Sequence, residues 1–269
     1  MPVVTFLSDY GLADDFVGVC HGVVLRICPQ ARIVDITHGI ARHDVRAGAL
    51  TLRRSLPYLP PGVHLAVVDP GVGAQRRAVA LRTAEDDRIL VGPDNGLLSL
   101  AAARFGGAVE AVEIASSPHR LQPASATFHG RDLFAPVTAH LCAGAVLAEA
   151  GEPLDPDVLT RLDMPMARLE DDLMTVHVLG IDRFGNLSLD VEHEELTGAG
   201  LRLGTPVSVE VRGRTVEATY ASTFADVGEG ELVLYEDAYR TLALAVNRGS
   251  AAAVLGVGLD AELRLRPLT

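Results

Sequence analysis

Hydrophobic and polar positions follow two different grammars along this chain. Val3–Leu7 is a short apolar run that reads as a buried strand, and Phe16, Val17, Cys20, Val24 and Ile27 then recur at helical spacing until Pro29. Arg32–Ile36 predicts a second strand, followed by an amphipathic stretch from Asp44 to Leu56. Val63–Val68 is continuously apolar, as strands buried on both faces are. Strand-like runs recur at Val79–Arg82, Ile89–Val91 and Val109–Ile114, and helical patterns at Leu97–Arg104 and Leu133–Glu149. This βαβ rhythm predicts a Rossmann-like α/β domain with a mostly parallel sheet.

The rhythm stops in a stretch of prolines and acids from Gly151 to Met166. Beyond it, short alternating or β-branched runs follow at closer spacing: Thr175–Leu179, Leu187–Asp190, Val207–Arg212, Thr215–Tyr220, Glu231–Tyr235 and Thr241–Val246. Glycine turns punctuate them, so an antiparallel β domain, a small barrel or sandwich, is expected. The division expected from these patterns is an α/β domain over 1–160, a linker over 161–171 and a β domain over 172–269.

Composition narrows the function classes. The chain has 269 residues, of which 48% are hydrophobic and 22% charged, as in a globular protein with a real core. No apolar run approaches the roughly 18 residues of a membrane span, and the N-terminus lacks the basic region of a signal peptide, so a cytoplasmic protein is expected. A net charge of −12 argues against a nucleic-acid partner. Cys20, Cys28 and Cys142 show neither C-x-x-C nor zinc spacing, which fits reduced thiols. All 23 basic residues are arginine, so Schiff-base lysine chemistry and a P-loop are both excluded.

Four segments offer chemistry. D69-P-G-V-G places an acid and two glycines after a strand, as in loops that hold S-adenosylmethionine; a plain tight turn would use the same glycines. Arg76 lies seven residues on, able to hold Asp69 by two parallel hydrogen bonds. His129, in T-F-H-G-R-D, has a neighbouring glycine that leaves its ring space to meet a ligand. Asp9, in S-D-Y-G directly after the first strand, stands where nucleotide-binding folds grip ribose hydroxyls. Asp9, Asp14, Asp15, His21, His38, Asp69, Asp94 and His129 contain no metal-binding box, so no metal site is expected. No G-x-S-x-G elbow is present.

Seven boxes in order, S-D-Y-G, D-I-T-H-G-I, V-V-D-P-G-V-G-x-x-R-R, V-G-P-D-N-G-L-L, T-F-H-G-R-D-L-F-A-P-V, I-D-x-F-G-N and A-V-N-R-G-S-A, span nearly the whole chain. Together they resemble the S-adenosylmethionine hydrolases, or hydroxide adenosyltransferases, relatives of fluorinase and chlorinase. The resemblance implies an N-terminal α/β domain, a C-terminal β domain, and cleavage of S-adenosylmethionine to adenosine and methionine with neither cofactor nor metal. It implies a catalytic trio of Asp69, Arg76 and His129, and a ribose contact from Asp9. Asn186 would contact adenine, Asp182 the amino-acid end, Phe184 and Phe224 the faces of the base, and Arg248 the substrate from the last box. It also implies a homotrimer with sites between neighbouring subunits. One departure is D237-A-Y, where relatives usually carry a serine.

Two other readings stay open on residues alone. A halogenase would replace the aspartate with a neutral group, because a carboxylate repels halide. A non-catalytic nucleoside-binding protein would keep Asp9 and Asn186 without needing the trio. For the hydrolase, Asp69 or His129 takes the proton of water, since a guanidinium stays charged.

Overall fold

Phe6 and Leu7 are adjacent in sequence and buried on opposite faces of one sheet. That alternation organises the first of two compact units, Met1–Leu162 and Asp163–Thr269, into which the chain divides. The computed structural model describes residues 2–170, 172–196 and 200–268. Position 171 of the expected linker, and 197–199 and 269 of the expected β domain, lie outside the described residues.

The first unit runs β1 (Val3–Ser8), α1 (Phe16–Ile27), β2 (Arg32–Thr37), α2 (Val45–Ser55), β3 (Val63–Val67), β4 (Ala78–Thr83), β5 (Ile89–Pro93), α3 (Ser99–Arg104), β6 (Ala108–Glu113), α4 (Ala135–Cys142) and β7 (Glu152–Leu154). Its strands form one sheet in the order β2-β1-β3-β5-β4-β6-β7. β1 pairs in parallel with β2 and β3, and β3 with β5, whereas β4 is antiparallel to both its neighbours and β7 to β6. Five strands (β1, β2, β3, β5 and β6) thus run one way, and the sheet is mostly parallel. Phe6, Leu65 and Val67 pack with Cys20 and Val24 of α1 and Val137 of α4. Leu7, Ala66 and Val68 pack with Leu52 of α2 and Ala101 of α3. A strand's period of two feeds helices on both faces.

Three local expectations are corrected. β4 and β5 form an antiparallel hairpin rather than another βαβ unit, because the short connection between Thr83 and Ile89 cannot make a crossover of a dozen or more residues. Its turn uses Asp86 and Asp87 at φ 61° and 51°. The helical pattern over Leu133–Glu149 yields α4 only to Cys142, since Gly144 turns to φ 103° and a short 3-10 turn, Leu147–Glu149, follows. The proline-rich stretch after Gly151 contributes β7 to the sheet edge.

The second unit runs β8 (Arg168–Glu170), β9 (Leu173–Ile181), β10 (Leu187–Glu192), β11 (Pro206–Val211), β12 (Arg214–Tyr220), β13 (Leu232–Glu236), β14 (Thr241–Val246), α5 (Ala251–Leu255) and β15 (Glu262–Pro267). β8 falls within 161–171 and pairs antiparallel with the start of β9. The ladder β10-β14-β13-β12-β11-β15-β9 closes through β9–β10 into a seven-stranded barrel. Its interior takes alternate residues: Met174, Val176 and Val178; Leu187, Leu189 and Val191; Val207, Val209 and Val211. Pairings around the barrel are antiparallel except β12–β13, whose connection contains the 3-10 turn Phe224–Asp226.

Candidate active site

A cleft of about 450 Å³ opens in the first unit, lined among others by Asp9, Arg42, His43, Asp69, Phe128 and His129. Asp9 follows β1 directly and Asp69 follows the end of β3 by two residues. The carboxyl ends of neighbouring parallel strands are where open α/β sheets bind ligands, so chain topology alone brings two carboxylates sixty residues apart into one cleft.

The loop after β3 is a pair of tight turns, with N–H to C=O bonds from Val72 to Asp69 and from Ala74 to Gly71. Strand β4 follows it, so the methyltransferase-like arrangement of glycine loop and helix is not formed. Gly73 sits at φ 76°, and a Cβ there would lie 2.8 Å from the Ala126 carbonyl oxygen. Only glycine lets this loop approach the 125–129 segment that carries His129.

Those turns bring Arg76 back over Asp69. Arg76 Nε donates to Asp69 Oδ1 at 2.9 Å and to Oδ2 at 3.1 Å, and Nη2 donates to Oδ2. Both side chains are largely buried, where a forked, charge-assisted pair has one preferred geometry. Arg76 Nη2 also lies 2.8 Å from His129 Nδ1. Guanidinium only donates, so His129 Nδ1 accepts, and the neutral ring carries its proton on Nε2. Burial, with Arg76 acting in the same direction, holds the imidazole pKa below its ordinary value, against the opposing pull of Asp69 and Asp132. His129 precedes a single π-helical turn, Gly130–Phe134, that leads into α4. Such turns recur at functional sites.

Asp9 is oriented by the loop after β2. Its Oδ2 accepts the His43 N–H at 2.9 Å, and His43 is held at φ 67°. Tyr10, Phe16 and Phe128 form the apolar wall, with ring centroids 5.1 to 6.0 Å apart. Burial raises the Tyr10 hydroxyl pKa, reinforced by Cys20, Asp9 and Asp69, so it stays protonated. Gly130 serves this wall: a Cβ on it would lie 2.1 Å from Tyr10 Oη. The glycine beside His129 therefore makes room for a tyrosine rather than for a ligand at the imidazole.

The remaining sequence-derived candidates lie in the second unit. Asp182 Oδ1 accepts N–H bonds from Phe184 at 2.8 Å and Asn186 at 3.0 Å, and its Oδ2 accepts from Asn186 Nδ2 at 2.8 Å. Its carboxylate thereby builds the turn that presents Phe184, which is 61% exposed. Gly185, at φ 82°, brings that turn against Ser250, and its carbonyl accepts from Ala252 N–H at 3.0 Å. Phe224 packs edge-on against Tyr235 at 5.0 Å. Burial, then Asp237 and Asp182, push the Tyr235 hydroxyl pKa up to about 12. Arg248 pairs with Glu229 at 3.1 Å and is exposed. In the departing box, Asp237 Oδ1 accepts from Tyr239 N–H at 2.8 Å and shapes its own turn.

Tyr10, Phe16, Arg42, His43 and Phe128 also line the cleft, and Tyr235 stands beside Phe224, none of them among the residues expected from the sequence. Tyr10 and Phe128 stood inside quoted boxes. Arg42 and His43 carried no signal, because their place depends on the loop after β2.

The pattern of the S-adenosylmethionine hydroxide adenosyltransferase N-terminal domain matches residues 4–151, and that of the C-terminal domain matches residues 176–264. An (R)-S-adenosyl-L-methionine hydrolase of Salinispora tropica is 48% identical, over 98% of this chain and 97% of its own. A more distant fluorinase of Nocardia brasiliensis is 32% identical, over 93% of this chain and 92% of its own. An uncharacterised conserved protein of Thermotoga maritima, solved by crystallography, superposes with a TM-score of 0.92 at 36% identity, covering 98% of this chain and 99% of its own. With both domain patterns matched in order along one chain, this protein belongs to the S-adenosylmethionine hydroxide adenosyltransferase family.

Proposed function

We propose that the protein hydrolyses (R)-S-adenosyl-L-methionine to adenosine and L-methionine. The observation that carries this reading is the locked order Asp69–Arg76–His129 in the cleft that also holds Asp9. Water attacks C5′ of the ribose: an O–C5′ bond forms, the C5′–S bond breaks, and its electron pair leaves with methionine as a neutral thioether. Asp69 takes the proton from water, because His129 Nδ1 is engaged by Arg76 and its Nε2 already bears hydrogen. Arg76 fixes the carboxylate, and His129 Nε2–H orients the water oxygen. Attack on a sulfonium neutralises charge, so a desolvated cleft favours the transition state over the cationic substrate.

Asp9 holds the ribose hydroxyls. Asn186, Phe184 and Phe224 meet the adenine, Asp182 acts at the methionine end, and Arg248 contacts the substrate. We take the working form to be a cytoplasmic homotrimer whose subunits each contribute residues to a neighbour's site. Asp69→Ala and Asn186→Ala, each inactive alone, would then regain activity in verified mixed oligomers. Mixtures that stay inactive overturn the shared-site arrangement.

Separated sulfonium epimers incubated with enzyme and a chelator test the reaction. Adenosine and methionine in equal amounts from the (R) epimer are expected, and no adenosine from either epimer overturns it. The carboxylate at Asp69 also excludes halide from the place beside C5′, so no 5′-halo-adenosine should appear at high chloride or fluoride.

A further inference from the structure

Away from the cleft, the side chains of His21, Asp35 and His38 converge on one point. His21 projects from α1, Asp35 from β2, and His38 from the loop after it. Their ligand atoms all lie within 4.8 Å of one another. His21 Nε2 is 2.9 Å from Asp35 Oδ1, and His38 Nε2 is 3.1 Å from that same oxygen. Sequence spacing hid the group, since none of its members forms a familiar metal box with another.

His38 makes the arrangement more than a surface hydrogen-bond cluster. Its side chain is 2% exposed, and among the described residues its Nε2 has no hydrogen-bond partner despite the nearby carboxylate. The oxygen is close in distance but lies off the direction in which the ring nitrogen points. The other nitrogen, Nδ1, is 2.7 Å from Ser8 Oγ, which fixes the ring. Metal-bound histidines are commonly held this way, by a partner at the nitrogen that does not face the ion. Phe6 supports both rings, edge-on to His38 at 4.6 Å and tilted to His21 at 6.0 Å. β2 carries a register shift here, with Phe6 opposite Asp35 and Leu7 opposite Thr37. A bulge of that kind re-aims side chains.

We propose that His21, Asp35 and His38 form a binding site for one divalent transition-metal ion, separate from the hydrolytic cleft. The donor set is two neutral imidazoles and one carboxylate, which suits zinc, cobalt, nickel or ferrous iron and not calcium or magnesium. Two donors each about 2.1 Å from a metal and about 3 Å apart subtend about 90° at it. The two nitrogen–oxygen spacings therefore match neighbouring positions of an octahedron. A bound ion would also satisfy His38 Nε2 along its own axis. It would tie α1, β2 and the following loop together without touching Asp69, Arg76 or His129.

Untagged full-length protein, stripped of metal and titrated with Co2+ and then with Zn2+, tests the site. Expected are one equivalent of Co2+ per chain, a visible absorption band, and its displacement by Zn2+. His21→Ala and Asp35→Asn, both at partly exposed positions, should each weaken Co2+ binding by about tenfold or more. His177→Ala, whose ring pairs with Asp190 in the other unit, should leave it unchanged. Failure of Co2+ to saturate at one equivalent, or unaltered affinity in both site variants, overturns the proposal. Hydrolysis in the presence of chelator is a separate readout, so failure of one reading does not carry the other with it.

Discussion

Arg76 Nη2 stands 2.8 Å from His129 Nδ1, and that contact decides which ring nitrogen holds the proton. A protonated ring would set an N–H against a guanidinium N–H, so acid breaks the geometry of the trio. The pKa of His129 is lowered by burial and by Arg76. Activity should therefore persist below the ordinary imidazole value of about 6.5 and fall only in more acid solution. His129→Asn offers Arg76 an oxygen near the place of Nδ1 and cannot titrate. It should keep part of the turnover and lose this acid limb, as a pH profile of kcat/KM would show. An unchanged limb in the variant assigns the limb to another group.

The fork between Asp69 and Arg76 separates chemistry from binding. Asp69→Asn preserves shape but removes the proton acceptor and the ion pair, so turnover should fall by about 10²-fold or more with little change in KM. The Asp9 carboxylate is held by the His43 N–H rather than by the Asp69–Arg76 fork. Asp9→Ala should chiefly raise KM. Steady-state kinetics of adenosine release reads both, and near-normal kcat in Asp69→Asn removes Asp69 from the role of base.

What was legible in the chain was what local pattern controls. The buried strands β1 and β3 stand out because residues facing both helical layers are apolar, and the acids that follow them fall at strand ends by simple counting. Pairing direction was less legible. β4 and β5 look like their parallel neighbours until the short connection between them is weighed, and β7 and β15 are too short or too charged to stand out. Long-range contacts were the least legible. That Gly130 packs under Tyr10, or that Asp35 meets His21 and His38, follows from tertiary approach and leaves no mark on spacing. Asp182 carried the reverse lesson: its box was recognisable, yet its carboxylate is largely occupied in building its own turn.

A second buried histidine gives a stability prediction. His64 on β3 lies 2.9 Å from Thr5 Oγ1 through Nδ1, and 3.3 Å from Arg88 Nη1 through Nε2. Burial, with help from Arg88, lowers its pKa to about 3. The unfolded chain takes up a proton near pH 6.5 that the folded chain refuses, so the neutral ring's contribution is full above that value. It is lost progressively as pH falls from about 6.5 toward about 3. Between pH 6.5 and pH 5 the loss from this one group is about 2 kcal/mol. Urea unfolding of wild type and His64→Gln at both values should show that the variant, weaker at pH 6.5, loses less on acidification. Equal losses would mean that His64 is not the group concerned.

Gly130 provides the sharpest test of how the cleft is packed. Its backbone φ is not in the left-handed region, so alanine meets no backbone penalty and any effect must come from space. A Cβ at this position would lie 2.1 Å from Tyr10 Oη, 3.1 Å from Tyr10 Cζ and 3.3 Å from Phe128 Cε2. The first of these cannot be accommodated without moving the tyrosine, which is part of the wall facing Asp9 and Asp69. Gly130→Ala should cost about 1–3 kcal/mol in stability, as overpacking does, and should lower kcat/KM by displacing that wall. Tyr10→Phe removes the oxygen that clashes and keeps the ring. Combined with Gly130→Ala it should recover part of both losses, because only the two closer-than-normal carbon contacts remain. A double-mutant cycle on unfolding free energy and kcat/KM measures the coupling. Simple additivity would show that Tyr10 and Gly130 do not meet, and would remove the hydroxyl from the packing of the cleft.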